Sequence, residues 1–274
     1  MLSSYLLSLR EGIEAALIIG ILLGAVRLIK RPALVPAIWL GTLSAITLSI
    51  LGAVLLTLLG LEMEGAAEAI FEGFTMLIAA ALLTWMIFWM SGHSRTLKAT
   101  IEADIQHASQ FGGRAIFLVA FVAVLREGIE LALFLTASVF VSNSFQTIVG
   151  AALGLGTAAL LGWSIFASTI RLDLRRFFQV TSVLLILFAA GLFAHGVHEF
   201  IEVGWLPAIV ENVWDVSSIL SKESVAGQLM SALFGYNPSP DLTEIIAYIA
   251  YFVAIGVGLQ WSGQRAQKTA PASA

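Results

Sequence analysis

Cysteine is absent from the 274 residues, which excludes disulfides, thiolate metal sites, iron-sulfur clusters and covalently attached c-type haem. Charge is scarce as well: Asp, Glu, Lys and Arg make up 12% of the chain, against 59% hydrophobic residues. With a mean hydropathy of +0.94, too few polar residues remain to cover the surface of a soluble domain. The formal net charge of −4 gives no hint of nucleic acid as a partner. A basic n-region is missing from the first apolar segment, and three charges interrupt its core. It therefore does not read as a cleaved signal peptide, and it is expected to remain as the first helix.

What is present is a set of apolar runs long enough to cross a bilayer. The chain reads as all-α, a polytopic membrane protein with seven transmembrane helices at about 3–27, 34–60, 66–90, 115–141, 147–170, 177–203 and 241–262. Eleven of the 14 Lys and Arg fall on one side of these spans: Arg27, Lys30, Arg31, Arg95, Lys98, Arg114, Arg171, Arg175, Arg176, Arg265 and Lys268. Only Lys222 falls on the other side, and Arg10 and Arg126 lie inside spans. By the positive-inside rule the N-terminus is expected outside and the C-terminus in the cytoplasm of a cell or inner membrane, contacting lipid throughout.

Charge inside two of the spans forms a repeated motif. Arg10, Glu11, Gly12, Ile13 and Glu14 recur as Arg126, Glu127, Gly128, Ile129 and Glu130, 116 residues later. Facing lipid, each such charge costs about 2.5–3.5 kcal/mol, or about 15–20 kcal/mol for all six, so they must face one another or a wet cavity. At about 100° per residue the two glutamates of a motif share one helix face with the arginine beside them. Four carboxylates, Glu11, Glu14, Glu127 and Glu130, can thus converge on one cation. Simple locking of two helices needs a single pair, whereas the two motifs together leave an excess of two negative charges, which suits cation binding. Gly12, Ala16, Gly20 and Gly24 form a small-residue stripe, as do Gly128, Ala132 and Thr136, and such stripes let helices approach closely in a membrane.

The motif offset and the echo of Gly41 and Thr42 in Gly156 and Thr157 suggest two three-helix repeats, 1–90 and 115–203. An odd number of spans per repeat inverts the second copy, and inverted repeats around a midplane polar site are a transporter signature. The expected layout is one membrane domain over 1–262, with an extracytoplasmic loop at 204–240, a seventh helix at 241–262 and a disordered cytoplasmic tail at 263–274. Glu62, Glu64, Glu68 and Glu72 stand at the outer start of span three. His195, His198, Glu199 and Glu202 form a stripe near the outer end of span six. Glu68, Glu72 and that stripe are expected to gather cations at an outer mouth. Helical spacing of Leu206, Ile209, Val213, Val216, Ile219 and Leu220, with Trp205 and Trp214 nearby, suggests a helix lying in the outer interface. Its acids, Glu211, Asp215 and Glu223, are expected to face water. Leu97, Ile101 and Ile105 suggest a second surface helix on the cytoplasmic side.

Carboxylates suit hard multivalent cations, and histidine widens the choice to ferrous iron and zinc. The residue chemistry stops there, leaving other multivalent cation transporters, a membrane metal sensor and an intramembrane di-iron oxidase open. The paired Glu-x-x-His pattern of di-iron bundles is missing. The doubled motif, the acidic start of span three, His195 to Glu202 and the run Phe234, Gly235, Tyr236, Asn237, Pro238 together resemble the oxidase-dependent iron permeases, which include the fungal high-affinity ferric permease and the bacterial Efe-type permease. The resemblance covers nearly the whole chain. It implies that iron, ferric or ferrous, is the substrate and that Glu11, Glu14, Glu127 and Glu130 are its ligands during passage. It implies also that Arg10 and Arg126 hold those glutamates, with Gly12 and Gly128 supporting the motif. No prosthetic group is expected, and iron delivery by a separate extracytoplasmic oxidase or carrier protein is implied. Oligomeric state stays open, with a homo-oligomer among the alternatives.

Overall fold

In hydrocarbon every backbone N–H and C=O must be satisfied within the chain, which leaves helices for runs as apolar as these. The computed structural model describes residues 1–93, 103, 105, 107–108, 110–141, 143–167, 174–221 and 224–268. Among the described residues there is no strand. The helices are α1 (Leu2–Leu28), α2 (Val35–Glu62), α3 (Ala66–His93), α4 (Gly113–Val141), α5 (Ser144–Ala167), α6 (Leu174–Glu202), the short α7 (Val225–Phe234) and α8 (Leu242–Lys268). At 1.5 Å per residue the long helices reach about 36–44 Å, enough to cross a hydrocarbon core of about 30 Å. Five of them, α2, α3, α5, α6 and α8, are long and apolar enough to be candidate spans by composition alone. The other two long helices, α1 and α4, carry the charged motifs.

Two compact units form, each drawing on both expected repeats. The first comprises residues 1–64 and 93–184, the second residues 65–92 and those from 185 onward, with the division falling inside α6.

Small residues set the packing of the first unit. A Cβ at Gly154 of α5 would lie 2.9 Å from Leu9 N of α1, and one at Gly162 would lie 2.8 Å from Ala16 Cβ. Contacts thus advance together along both helices, so α1 and α5 run parallel. Likewise Gly41 of α2 lies on the backbone at Phe117 and Phe121 of α4, and Gly128 of α4 meets Ser49 of α2, so these two are also parallel. The chain reverses between α1 and α2 through Arg31 and a single 3-10 turn at Pro32–Leu34. Consequently α1 and α4, the two motif helices, are antiparallel. A buried cluster of Ile18, Leu22 and Val26 with Ile38, Ile116 and Ala120 closes one end of this unit. The expected stripe on α1 is used at Gly12 and Ala16, while Gly24 has open space around it.

In the second unit α3 and α6 cross antiparallel at glycines. A Cβ at Gly73 would meet Glu199 Cβ at 3.2 Å and Gly196 O at 3.2 Å. Helix α8 runs parallel to α3, joined by a 2.7 Å hydrogen bond between Thr84 Oγ1 and Tyr251 Oη and by Phe88 against Gly258. It runs antiparallel to α6, with Phe193 and Tyr251 ring centroids 5.8 Å apart. The start of α3, the end of α6 and the start of α8 therefore share one end of this unit.

Three expectations about the connecting segments change. The outer segment expected as an interfacial helix from Leu206 to Leu220 is irregular. Gly204, Ile209 and Asn212 adopt positive φ, and Pro207 supplies no N–H, so the helical ladder cannot form there. The segment pairs instead with the residues before α8: Val213 N donates to Pro240 O, Val216 N to Pro238 O and Leu242 N to Val210 O. Of the expected cytoplasmic surface helix, Leu97 and Ile101 lie outside the described residues, as do Arg95, Lys98 and Arg171. Ile105 is fully buried against the α1–α2–α4 cluster rather than on the surface. Finally, α8 continues as helix to Lys268, past the expected span end at 262; residues 269–274, Lys222 and Glu223 are outside the described residues.

Candidate metal centre

The antiparallel pairing of α1 and α4 brings the two motifs together in the first unit. Glu11 and Glu14 of α1 and Glu127 of α4 each offer one carboxylate oxygen, and these three oxygens lie within 4.8 Å of one another. Oxygens about 2.1–2.5 Å from a shared cation lie roughly 3–4 Å apart, so small side-chain rotations close the trio on one ion. Glu11 and Glu127 are 1% and 7% exposed. Glu11 Oε2 is shielded from solvent and receives no hydrogen bond, leaving its lone pairs turned into the site.

The fourth glutamate is placed differently. Glu130 Oε1 accepts a 3.0 Å hydrogen bond from Arg126 Nε. It stays within electrostatic range of Glu14 and Glu127 but outside the close trio. The two arginines differ too. Arg10 is fully buried, with Nη1 2.8 Å from Glu11 Oε1 and Nη2 3.0 Å from Glu14 Oε1. Its guanidinium also stands 5.9 Å from the ring centroid of Phe178 on α6. The Arg126 side chain is half exposed and pairs with Glu130 of its own motif, one turn on. Of the four carboxylates expected to converge, three offer oxygens within 4.8 Å of one another, and Glu130 lies outside that trio. Arg10 pairs with both glutamates of its motif, whereas the ion pair of Arg126 within its motif is to Glu130.

The motif glycines are where the helices touch. A Cβ at Gly12 would lie 2.6 Å from Ala158 Cβ on α5, and one at Gly128 would lie 2.6 Å from Ser49 Cβ on α2. Each glycine lets its helix seat against a partner, one residue from a glutamate of the trio at the α1–α4 seam.

The residues expected at an outer mouth all lie in the second unit, at its shared helix end. Glu72 is within electrostatic range of Glu68, Glu199 and Glu202. Glu68 and Glu202 are exposed, whereas Glu72 and Glu199 are half-buried. His195 is buried and its Nδ1 lies 3.1 Å from Gly191 O on its own helix. His198 joins a set of carboxylates: Nε2 is 3.4 Å from Glu202 Oε1, and Nδ1 is 3.3 Å from Asp241 Oδ2 and 3.8 Å from Glu244 Oε2. In the loop, Asp215 is exposed, and hydrogen bonds from Ser217 hold its carboxyl below the usual range.

The sequence profile of the Iron permease FTR1 family matches residues 1–263. The chain belongs to that family. It is 35% identical over 256 residues to a protein named ferrous iron permease EfeU of Escherichia coli O6:K15:H31, covering 92% of this chain and 93% of the relative. The same identity and coverage hold for ferrous iron permease EfeU of Shigella sonnei. The protein of that name in Yersinia pestis is 31% identical, over 92% of this chain and 91% of its own length. No solved structure matches the chain. Membership of this permease family and the apolar helices together make the chain a multi-pass membrane protein.

Two residues of this FTR1-family chain escaped sequence reasoning. Asp241 and Glu244 are 8% and 3% exposed and reach His198 from the first turn of α8. The available signal was Asp-x-x-Glu ahead of the seventh span, a helix-capping pattern. Read along the chain it marks a helix start, and nothing local pairs it with a histidine more than 40 residues away.

Proposed function

We propose that the chain is an iron permease that moves iron across the cell or inner membrane, with Glu11, Glu14 and Glu127 as its principal ligands during passage. The observation that carries this is the convergence of three carboxylate oxygens, two of them from buried glutamates, from two helices within 4.8 Å. Glu130 is the fourth ligand, drawn in when its arginine partner releases it. Arg10 and Arg126 offset the repulsion among the glutamates before iron arrives. Both valences are compatible with oxygen donors, and the names of the relatives favour ferrous iron.

In this reading Glu68, Glu72, His195, His198, Glu199 and Glu202 form the outer mouth. The N-terminus is outside, the C-terminus is cytoplasmic, and the helices form an inverted 3+3 repeat followed by one more span. Supporting this layout, α1 is parallel to α5 and α2 to α4, as alternating span directions require. A separate extracytoplasmic protein delivers iron. The chain acts as a transporter and not an enzyme, and iron is its cargo rather than a prosthetic group.

The deciding experiment is uptake of radioactive iron, ferrous or ferric, into proteoliposomes holding purified protein, comparing wild type with Glu14→Ala and Glu127→Ala. Uptake lost in variants that are present at normal levels supports the proposal. Undiminished uptake by either variant overturns the assigned path, and wild-type protein that transports neither valence overturns the function.

A further inference from the structure

The glutamate centre is bordered on one side by an apolar layer. Ile18 and Leu22 stand one and two turns past Glu14 on the same face of α1, and Ala120 and Ile116 stand two and three turns before Glu127 on the same face of α4. Because the two helices are antiparallel, all four fall on the same side of the centre, and they meet there in one cluster with Val26 and with Ile38 of α2. Leu22, Val26, Ile38, Ile116 and Ala120 are each at most 1% exposed. Toward the start of α1 and the end of α4, by contrast, the buried residues beside Leu7 and Phe134 include Ser4, Ser8 and Ser138. A cation cannot enter a dry apolar constriction without a large desolvation cost, and such constrictions open by wetting.

A polar group sits in that layer. Thr42 of α2 is 1% exposed, one turn past Ile38 and next to Gly41, where a Cβ would lie 3.1 Å from Ala120 Cβ. Inside a helix a threonine or serine hydroxyl can donate to the carbonyl one turn back. Thr47, Ser49 and Thr57 of the same helix do so at 2.8–2.9 Å. Thr42 Oγ1 is shielded from solvent and makes no hydrogen bond among the described residues, although the Ile38 carbonyl is the corresponding acceptor. An unpaired buried hydroxyl is unfavourable, so valine would suit this position better if packing alone mattered. Thr42 is level with Ala120, about 10 Å along α4 from Glu127, too far to share one ion with the three glutamates. A purely structural cluster explains the isoleucines and the leucine, but not the hydroxyl held among them.

We propose that this layer is a gate between the glutamate centre and one face of the membrane, and that the Thr42 hydroxyl is the polar contact a hydrated cation makes while the gate is open. In the topology proposed above, that face is the cytoplasmic one. The closed layer keeps a bound ion from leaking away, and Thr42 lowers the barrier to its release by offering oxygen lone pairs in an otherwise apolar stretch. This deepens the transport reading and rests on the glutamates lying on the iron path.

The absence of cysteine makes the gate directly testable. In purified protein in detergent, Leu22→Cys is expected to react with a charged, water-soluble thiol reagent about tenfold more slowly than Leu28→Cys, which lies on the same helix at a position 75% exposed. Similar rates would overturn the seal. In proteoliposomes, Thr42→Val is expected to lower uptake of radioactive iron about tenfold, with iron binding unchanged and the unfolding temperature at or above that of wild type. Thr42→Ser keeps the hydroxyl and is expected to retain uptake, and Thr47→Val, on the exposed face of α2, is expected to leave it unchanged. Undiminished uptake in Thr42→Val would overturn the role of that hydroxyl. Leu22→Ser places a polar group in the layer and is expected to speed leakage of iron from loaded vesicles severalfold; leakage no faster than wild type would overturn the gate. Uptake that survives Glu127→Ala but falls in Thr42→Val would overturn the assigned ligands and leave the gate standing. Uptake lost in Glu127→Ala, with Thr42→Val and Leu22→Ser both behaving as wild type, would do the reverse.

Discussion

Arg10 Nη1 lies 2.8 Å from Glu11 Oε1 with both side chains almost wholly buried, an ion pair that the second motif does not reproduce. There the half-exposed Arg126 turns instead to Glu130. Two copies of one five-residue motif are therefore held by different contacts, and their arginines should respond differently to substitution.

Removing one partner of a buried ion pair leaves its charges uncompensated. Arg10→Leu is expected to destabilise the protein by about 3–5 kcal/mol, and Arg126→Leu, whose side chain is half exposed and pairs with one motif glutamate rather than two, by less. Thermal unfolding followed by intrinsic tryptophan fluorescence reports both. Equal shifts in the two variants would show that the difference in burial does not matter.

The glutamates should rank by their placement. Losing one carboxylate of the close trio, in Glu11→Gln, Glu14→Gln or Glu127→Gln, is expected to weaken iron binding about tenfold or more, near 1.4 kcal/mol. Glu130→Gln should cost less in binding, because its carboxylate lies outside the close trio. Equilibrium binding of ferrous iron under anaerobic conditions checks the order. A loss at Glu130 as large as at Glu127 would favour a symmetric four-carboxylate centre.

Gly12 lies where α1 meets Ala158 of α5, with room for a hydrogen but not a methyl. Gly12→Ala is expected to destabilise by about 1–3 kcal/mol through overpacking. Ala158→Gly in the same chain should recover part of that loss. Without such recovery, the role of Gly12 would lie in the site rather than in the helix contact.

Gly235 ends α7 with φ of 65°, and its backbone lies directly against Gly191 of α6. Gly235→Ala meets both a strained conformation and a backbone, so a loss of at least about 1 kcal/mol is expected. Gly204→Ala is the comparison: its φ is 74° but nothing lies near its Cβ position, so it bears the conformational term alone. Unfolding temperatures of the two variants separate the terms, and an equal drop would remove the packing contribution at Gly235.

The sequence by itself determined the class of the fold, because helices are the only way to bury runs this apolar, and the marked spans end within a few residues of the observed long helices. It also singled out the charges that need partners, since a doubled Arg-Glu-Gly-Ile-Glu inside such runs cannot face lipid without a large cost. Only the tertiary structure decided how those charges divide. The contacts around the first motif, Gly12 against Ala158 and Phe178 over the Arg10 guanidinium, join segments distant in sequence. The outer segment shows the limit from the other side: its apolar spacing fits a helix, yet Pro207 and the positive φ at Ile209 and Asn212 send its N–H groups to Pro238 and Pro240 instead. The same holds for His198 with Asp241 and Glu244, which local spacing keeps in separate spans and which antiparallel packing of α6 and α8 brings within 4 Å.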